Sequence, residues 1–284
     1  MATTAETVPA PATRTVRTPV STLRQMLRLT RVEFTLFYRY RMALYIAVLP
    51  LVFLFPALSM PEGENAVGVD NGAHYLASVF ILTAMTVGII HMPNVYAARR
   101  ESMLLKRFRA SGVAPVAMFG ATTLSVLGVV IALSAVITGV LAAHFGESPH
   151  APVLLLFTTT LSTVLMCLFG LAFTRLARNA ESAQIITMAP FLVLLAISGA
   201  LVPVEMMPDR VADVLSLLPM LPAVDIVRSA YFGLDLFSGP EQATAATGLE
   251  LWVAAAPSLL VLLAWTGIAA YLVRYFRWDP RQGK

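Results

Sequence analysis

Residues His74 to Pro115 read HYLASVFILTAMTVGIIHMPNVYAARRESMLLKRFRASGVAP. As far as Val95 there is no Lys, Arg, Asp or Glu. That is enough chain to cross a hydrocarbon core about 30 Å thick at about 1.5 Å of helix rise per residue. Six charges then fall in eleven positions, Arg99, Arg100, Glu101, Lys106, Arg107 and Arg109, before an apolar run resumes at Val116. The pattern predicts a span, a charged turn at the membrane surface and a second span.

The same composition extends in both directions. Hydrophobic residues make up 58% of the 284, charged residues 13%, and the mean hydropathy is +0.76. A soluble domain carries roughly 45–50% and about 25%. Apolar, charge-free runs occur at about 43–60, 74–95, 116–143, 152–173, 183–202 and 251–272. The fold class expected is therefore an all-α integral membrane protein with six transmembrane helices. The run at 116–143 exceeds a perpendicular crossing and is expected to tilt or to enter an interface.

Orientation follows from the basic residues. Of the twenty Lys and Arg, eighteen fall on one side of these spans and only Arg210 and Arg228 on the other. By the positive-inside rule the first side is cytoplasmic, which places both termini there. The acidic residues lean the other way, with eleven of sixteen outside. The net charge of +4 consists of span flanks and calls for no nucleic-acid partner. The one cysteine, Cys167, lies inside the fourth run, so no intrachain disulfide is possible.

Residues 1–20, rich in Ala, Thr and Pro, are expected to be a disordered cytoplasmic tail without the apolar core of a cleaved leader. A single transmembrane domain is expected over 21–284. It opens with an amphipathic segment in which Leu23, Met26, Leu27, Thr30, Phe34 and Phe37 share one face, and Arg24, Arg28 and Arg31 form a row beside it. Such a helix lies in the membrane surface, its arginines on anionic lipid headgroups. Ala117, Ala121 and Ser125, with Gly128 beyond them, form a small-residue stripe for close helix packing. The connection from Leu201 to Glu250 is apolar but broken by Pro203, Pro208, Pro219 and Pro222. It is expected to form short re-entrant helices on the outer side, with Asp225 and Arg228 on one face.

Catalytic and coupling chemistry is missing from the spans. None holds a carboxylate or a basic residue, which argues against a membrane enzyme and against proton- or sodium-coupled transport. His74 and His91 sit near the ends of the second span, and His144 and His150 lack a metal-ligand spacing. Asp209 and Asp213 have no second aspartate-rich site to share magnesium and diphosphate with. No G-x-x-x-x-G-K-[ST] phosphate loop occurs, so this chain is expected to bind no ATP, metal or other cofactor.

With these features the sequence resembles the ABC-2 type permeases, the membrane subunits of bacterial ABC exporters. The family's segment after the second span reads like E-R-E-x-G-T-L-K-R-L-R-A-T-P-V-S-P; Arg100, Glu101, Leu105, Lys106, Arg107, Arg109, Ala110 and Pro115 match it. Arg99 stands where the first acid is usual, Met103 for the Gly and Gly112 for the Pro. A second matching region holds Ser198, Gly199, Pro203, Glu205, Pro208, Leu218, Pro219, Asp225 and Arg228, where the family begins its outer re-entrant helices.

The resemblance implies a motor on another chain. Two copies of an ATP-binding cassette subunit, holding ATP and Mg, would sit beneath two permease subunits, in a homodimer or a heterodimer in the bacterial plasma membrane. Glu101 to Arg109 would be the coupling helix, with Leu104 and Phe108 as its apolar anchor and Arg100, Lys106, Arg107 and Arg109 pairing with the partner. The segment with Arg24, Arg28, Arg31 and Phe34 would be the elbow helix. The cargo expected is a hydrophobic or amphipathic small molecule, a drug, antibiotic or lipid. A polysaccharide-exporting permease and a lipid- or isoprenoid-modifying membrane enzyme are the alternatives.

Overall fold

The computed structural model describes residues 21–39, 41–201, 207–237 and 243–279. The expected tail, Pro203 and Glu205 lie outside the described residues. The amphipathic segment forms α1 (Thr22–Arg39), followed by α2 (Arg41–Val48), a 3-10 turn (Leu49–Phe53) and α3 (Leu54–Ser59). Next come the 31-residue α4 (Asn71–Glu101), the short α5 (Leu104–Ala110) and α6 (Pro115–Val140), which a wide turn extends to Phe145. Then follow α7 (Pro152–Phe173), α8 (Ala180–Ala196), α9 (Asp209–Ser216) and α10 (Met220–Phe232). An antiparallel pair, β1 (Leu234–Asp235) and β2 (Thr244–Ala245), precedes α11 (Leu249–Val273).

Among the described residues four helices are long and apolar enough to cross a membrane: α4, α6 with its extension, α7 and α11. The runs expected as spans one and five take another form. Over 43–60 the helix tightens to a 3-10 turn at Leu49–Phe53, where Pro50 at its start offers no backbone N–H. The fifth run begins early, because Asn179 and Ser182 close a capping box. Its helix ends at Ala196 and the chain turns through Gly199 at φ +70°. Seventeen residues give α8 a length of roughly 25 Å, short of a core about 30 Å thick.

The interior is built around α4, which packs against α6, α7, α8 and α10. In its most apolar stretch 94% of the residues are buried inside the protein, against 22% for α6 and for α11. The outer faces of α6 and α11 therefore have only acyl chains or another apolar surface to meet. Contact between α4 and α7 is close because Gly88 and Gly170 lie at the crossing. A Cβ on Gly88 would come 2.7 Å from that of Met166, and one on Gly170 would come 2.9 Å from that of Met92.

The amphipathic α1 lies along α6 in the same notched manner. Met26 fills the space over Gly120 and Phe34 the space over Gly128, two turns apart on α6. Ala117, Ala121 and Ser125 of the expected small-residue stripe are buried. Leu23 and Leu27 of α1 stay exposed.

Candidate functional site

The charged turn is shaped by its backbone first. Instead of one helix from Glu101 to Arg109, α4 continues through Glu101 and stops, and α5 begins at Leu104. Between them Met103 adopts φ +59°, the one non-glycine in the left-handed region among the described residues. That is the position at which the ABC-2 resemblance has glycine. At the far end Val113 N–H donates to the Phe108 carbonyl (3.1 Å) and Gly112 N–H to that of Arg109 (3.1 Å), a Schellman closure with Gly112 at φ +75°. Glycine thus replaces the family's proline at a position that needs a positive φ.

The faces of α5 differ from the expectation. Leu105 is the fully buried residue. Phe108 packs with Val113, Phe119 and Trp278 against the cluster holding Leu105, Tyr96 and Phe276, and Leu104 is half-buried on the other flank. Of the expected anchor pair, Phe108 is thus packed within its own chain, while Leu104 lines the cavity beside α1. Met103, Lys106, Arg107 and Arg109 are exposed. Two residues on from Leu105 in α5, Arg107 lies on the face opposite it.

The segment after α11 folds back onto α5. Asp279 Oδ1 lies 3.3 Å from Lys106 Nζ, and the Arg109 guanidinium stands 5.4 Å from the Trp278 ring centre. Phe276 and Trp278 pack edge-on at 5.1 Å, and Phe276 also meets Tyr96 and Phe119. The exposed ion pair contributes little. The aromatic cluster contributes more, because each ring contact adds to buried area.

Arg99 and Arg100 are both buried. Arg100, expected to reach a partner, turns inward and donates to the carbonyls of Thr174 (3.2 Å) and Ala177, tying the end of α4 to the turn between α7 and α8. On a helix about 100° of rotation separates neighbours, so two adjacent arginines here reach different elements. Arg99 Nη2 donates to both carboxylate oxygens of Glu33 on α1 at 2.6 Å, and Nη1 to Thr122 Oγ1 on α6 at 3.4 Å. Arg24, Arg28 and Arg31 remain exposed on α1, and Phe34 seats over Gly128.

Sequence reasoning missed Glu33 and the return of Trp278 and Asp279. The signal for Glu33 was present: besides Glu6 it is the one acid among the seven basic residues before the first apolar run.

At the opposite end Ser198 Oγ donates to the Leu195 carbonyl (2.7 Å) and accepts from Ala200 N–H (3.2 Å), shaping the turn at Gly199. Pro208 and Pro219 stand at the N-caps of α9 and α10. Along α10 nearly every residue is buried, and Arg228 donates to Ser78 Oγ (2.9 Å) and to the Gly199 carbonyl (3.2 Å). With Asp225 it lines a recess of about 770 Å³. Trp265 of α11 donates to the Leu217 carbonyl (2.8 Å), fixing the α9–α10 corner. Among the described residues no three His, Cys, Asp or Glu side chains are grouped to hold a metal.

A family model described as ABC-2 family transporter protein matches residues 45–273. The chain belongs to the ABC-2 transporter family. A search of the curated proteins returns no match. Family membership and the long apolar helices make this ABC-2 protein a multi-pass membrane protein of transporter type. The match covers the turn and α5 but leaves out α1 with Glu33 and the segment with Trp278 and Asp279. The two elements that brace the turn of this ABC-2 protein thus lie outside the matched residues.

Proposed function

We propose that the chain is the permease subunit of an ATP-driven exporter, and that α5 is the contact through which a separate ATP-binding cassette subunit moves it. The observation that carries this reading is the mounting of α5. One face, Met103, Lys106 and Arg107, is exposed, while Leu105, Phe108 and the Phe276–Trp278 cluster fasten the other to α4, α6 and the segment after α11. A push on the exposed face is delivered to several spans as rigid bodies.

In this reading the basic end faces the cytoplasm, the broken 41–59 segment and α8 complete six crossings, and α10 is the re-entrant helix of the outer side. Two permease chains pair through exposed apolar faces, with two motor subunits below. The cargo is a hydrophobic or amphipathic small molecule, since no described span presents an unpaired charge at its centre.

The test is nucleotide hydrolysis by an ATP-binding cassette subunit reconstituted with this chain in proteoliposomes. Wild-type chain should change the hydrolysis rate and make it respond to amphipathic compounds. Lys106→Glu with Arg107→Glu should abolish the response while insertion and unfolding temperature stay unchanged. A response that survives the double charge reversal would overturn docking at α5.

A further inference from the structure

Between α1, the 41–59 segment and the basic half of α4 lies a cavity of about 500 Å³. That is within the range of small-ligand sites, roughly 300–1,000 Å³. Leu36 and Phe37 of α1, Ile46, and Val95 of α4 supply apolar walls. The polar groups converge on its inner part: the Glu33–Arg99 pair, His91, Asn94 and Ser102, with Arg39 at the end of α1. Apolar walls with a few placed polar groups describe a binding site better than a packing defect.

The charges decide what it takes. Glu33 is held by Arg99 at 2.6 Å, so this pair is neutral as a unit. Arg39 has no carboxylate partner among the described residues and leaves the cavity one positive charge in excess. Asn94 and His91 are buried, yet neither side chain hydrogen-bonds to another described residue; the His91 ring packs on Phe37 at 4.8 Å. Donors without partners beside an uncompensated cation suit an acidic oxygen.

We infer that this cavity binds an anionic amphiphile, taking one of its apolar chains and its phosphate or carboxylate head, drawn from the leaflet in which α1 lies. The chain runs along Phe37, Ile46 and Val95, and the head meets Arg39 and Asn94. Two sources share this chemistry, a resident anionic phospholipid and a transported cargo. Binding itself stands without the exporter reading; only the cargo source rests on it.

The test is native mass spectrometry of the purified full-length chain in neutral detergent. Dodecyl phosphate is the probe, dodecanol its uncharged control, and phosphatidylglycerol against phosphatidylcholine the lipid pair. One dodecyl phosphate should bind per chain in preference to dodecanol. Arg39→Gln should weaken that preference roughly tenfold, the scale of one charge-assisted hydrogen bond. Ala98→Trp, which places an indole at the cavity, should remove binding, and Arg210→Gln at the opposite end should leave it intact.

Phosphatidylglycerol that stays bound against excess dodecyl phosphate identifies a resident lipid; ready exchange identifies a cargo-type ligand. Both support the anionic class. Equal binding of dodecanol and dodecyl phosphate to the wild type overturns the inference, as does an unchanged preference in Arg39→Gln. Because the dodecanol comparison uses unaltered protein, misfolding of Ala98→Trp does not remove the test.

Discussion

Glu33 on α1 holds Arg99 of α4 at 2.6 Å, and both side chains are about nine-tenths buried. The ABC-2 segment usually places an acid where this chain has Arg99, and the compensating carboxylate comes from an element 66 positions away. Helix α1 is thereby fastened to the charged turn through its interior side.

Removing Glu33 leaves a buried, unpaired guanidinium. Glu33→Ala should lower stability by about 3–5 kcal/mol, whereas Glu33→Leu combined with Arg99→Met should recover most of it, because an apolar pair escapes the desolvation cost. Thermal unfolding of the solubilised protein checks both. A double variant no better than the single one would show that the pair does more than cancel charge.

Met103 occupies a left-handed conformation that costs a side-chain-bearing residue about 1–2 kcal/mol. Met103→Gly should raise the unfolding temperature by roughly 2 °C, since relief of strain exceeds the entropy that glycine adds to the unfolded chain. Met103→Val, branched at Cβ, should lower it. A destabilised glycine variant would mean that the Met103 side chain contributes more than its strain.

Much of this was legible in the sequence for a simple reason. Lipid imposes long charge-free helices, so α4, α6, α7 and α11 stand out by composition alone. The amphipathic period of α1 was equally plain. Direction within the charged turn was not: periodicity shows which residues share a face but not which face meets the protein. Leu105 rather than Leu104 is the buried leucine, and Arg99 and Arg100 point inward, because α1, α6 and the turn after α7 are there to receive them. Pro50 was visible in the first apolar run, yet a length criterion alone read that run as continuous.

The α4–α7 crossing depends on the absence of two Cβ atoms. Gly170→Ala would set a methyl 2.9 Å from the Met92 Cβ and 3.0 Å from the Gly88 carbonyl oxygen. Overpacking there should cost about 1–3 kcal/mol. Gly139→Ala on α6, with open space around it, should be neutral or stabilising by up to about 1 kcal/mol. Comparable losses at both positions would show a general intolerance of methyl groups and not a close crossing.

Trp278 anchors the returning segment to α5 through Phe119, Phe276 and Arg109. Trp278→Ala should speed amide exchange over residues 104–110 by roughly tenfold, leaving the buried core of α4 protected. Unchanged exchange in α5 would mean that Leu105 and Phe108 hold it unaided.

The most direct test of transmission through α5 is photo-crosslinking from a benzoylphenylalanine placed at Arg107, in membranes that also contain an ATP-binding cassette subunit. The account predicts an adduct with that subunit, identified by mass spectrometry of a peptide carrying its phosphate-binding loop, and none from the same probe at Val214 on α9. Adducts confined to lipid or to a second copy of this chain at Arg107, with the motor subunit present, would contradict it.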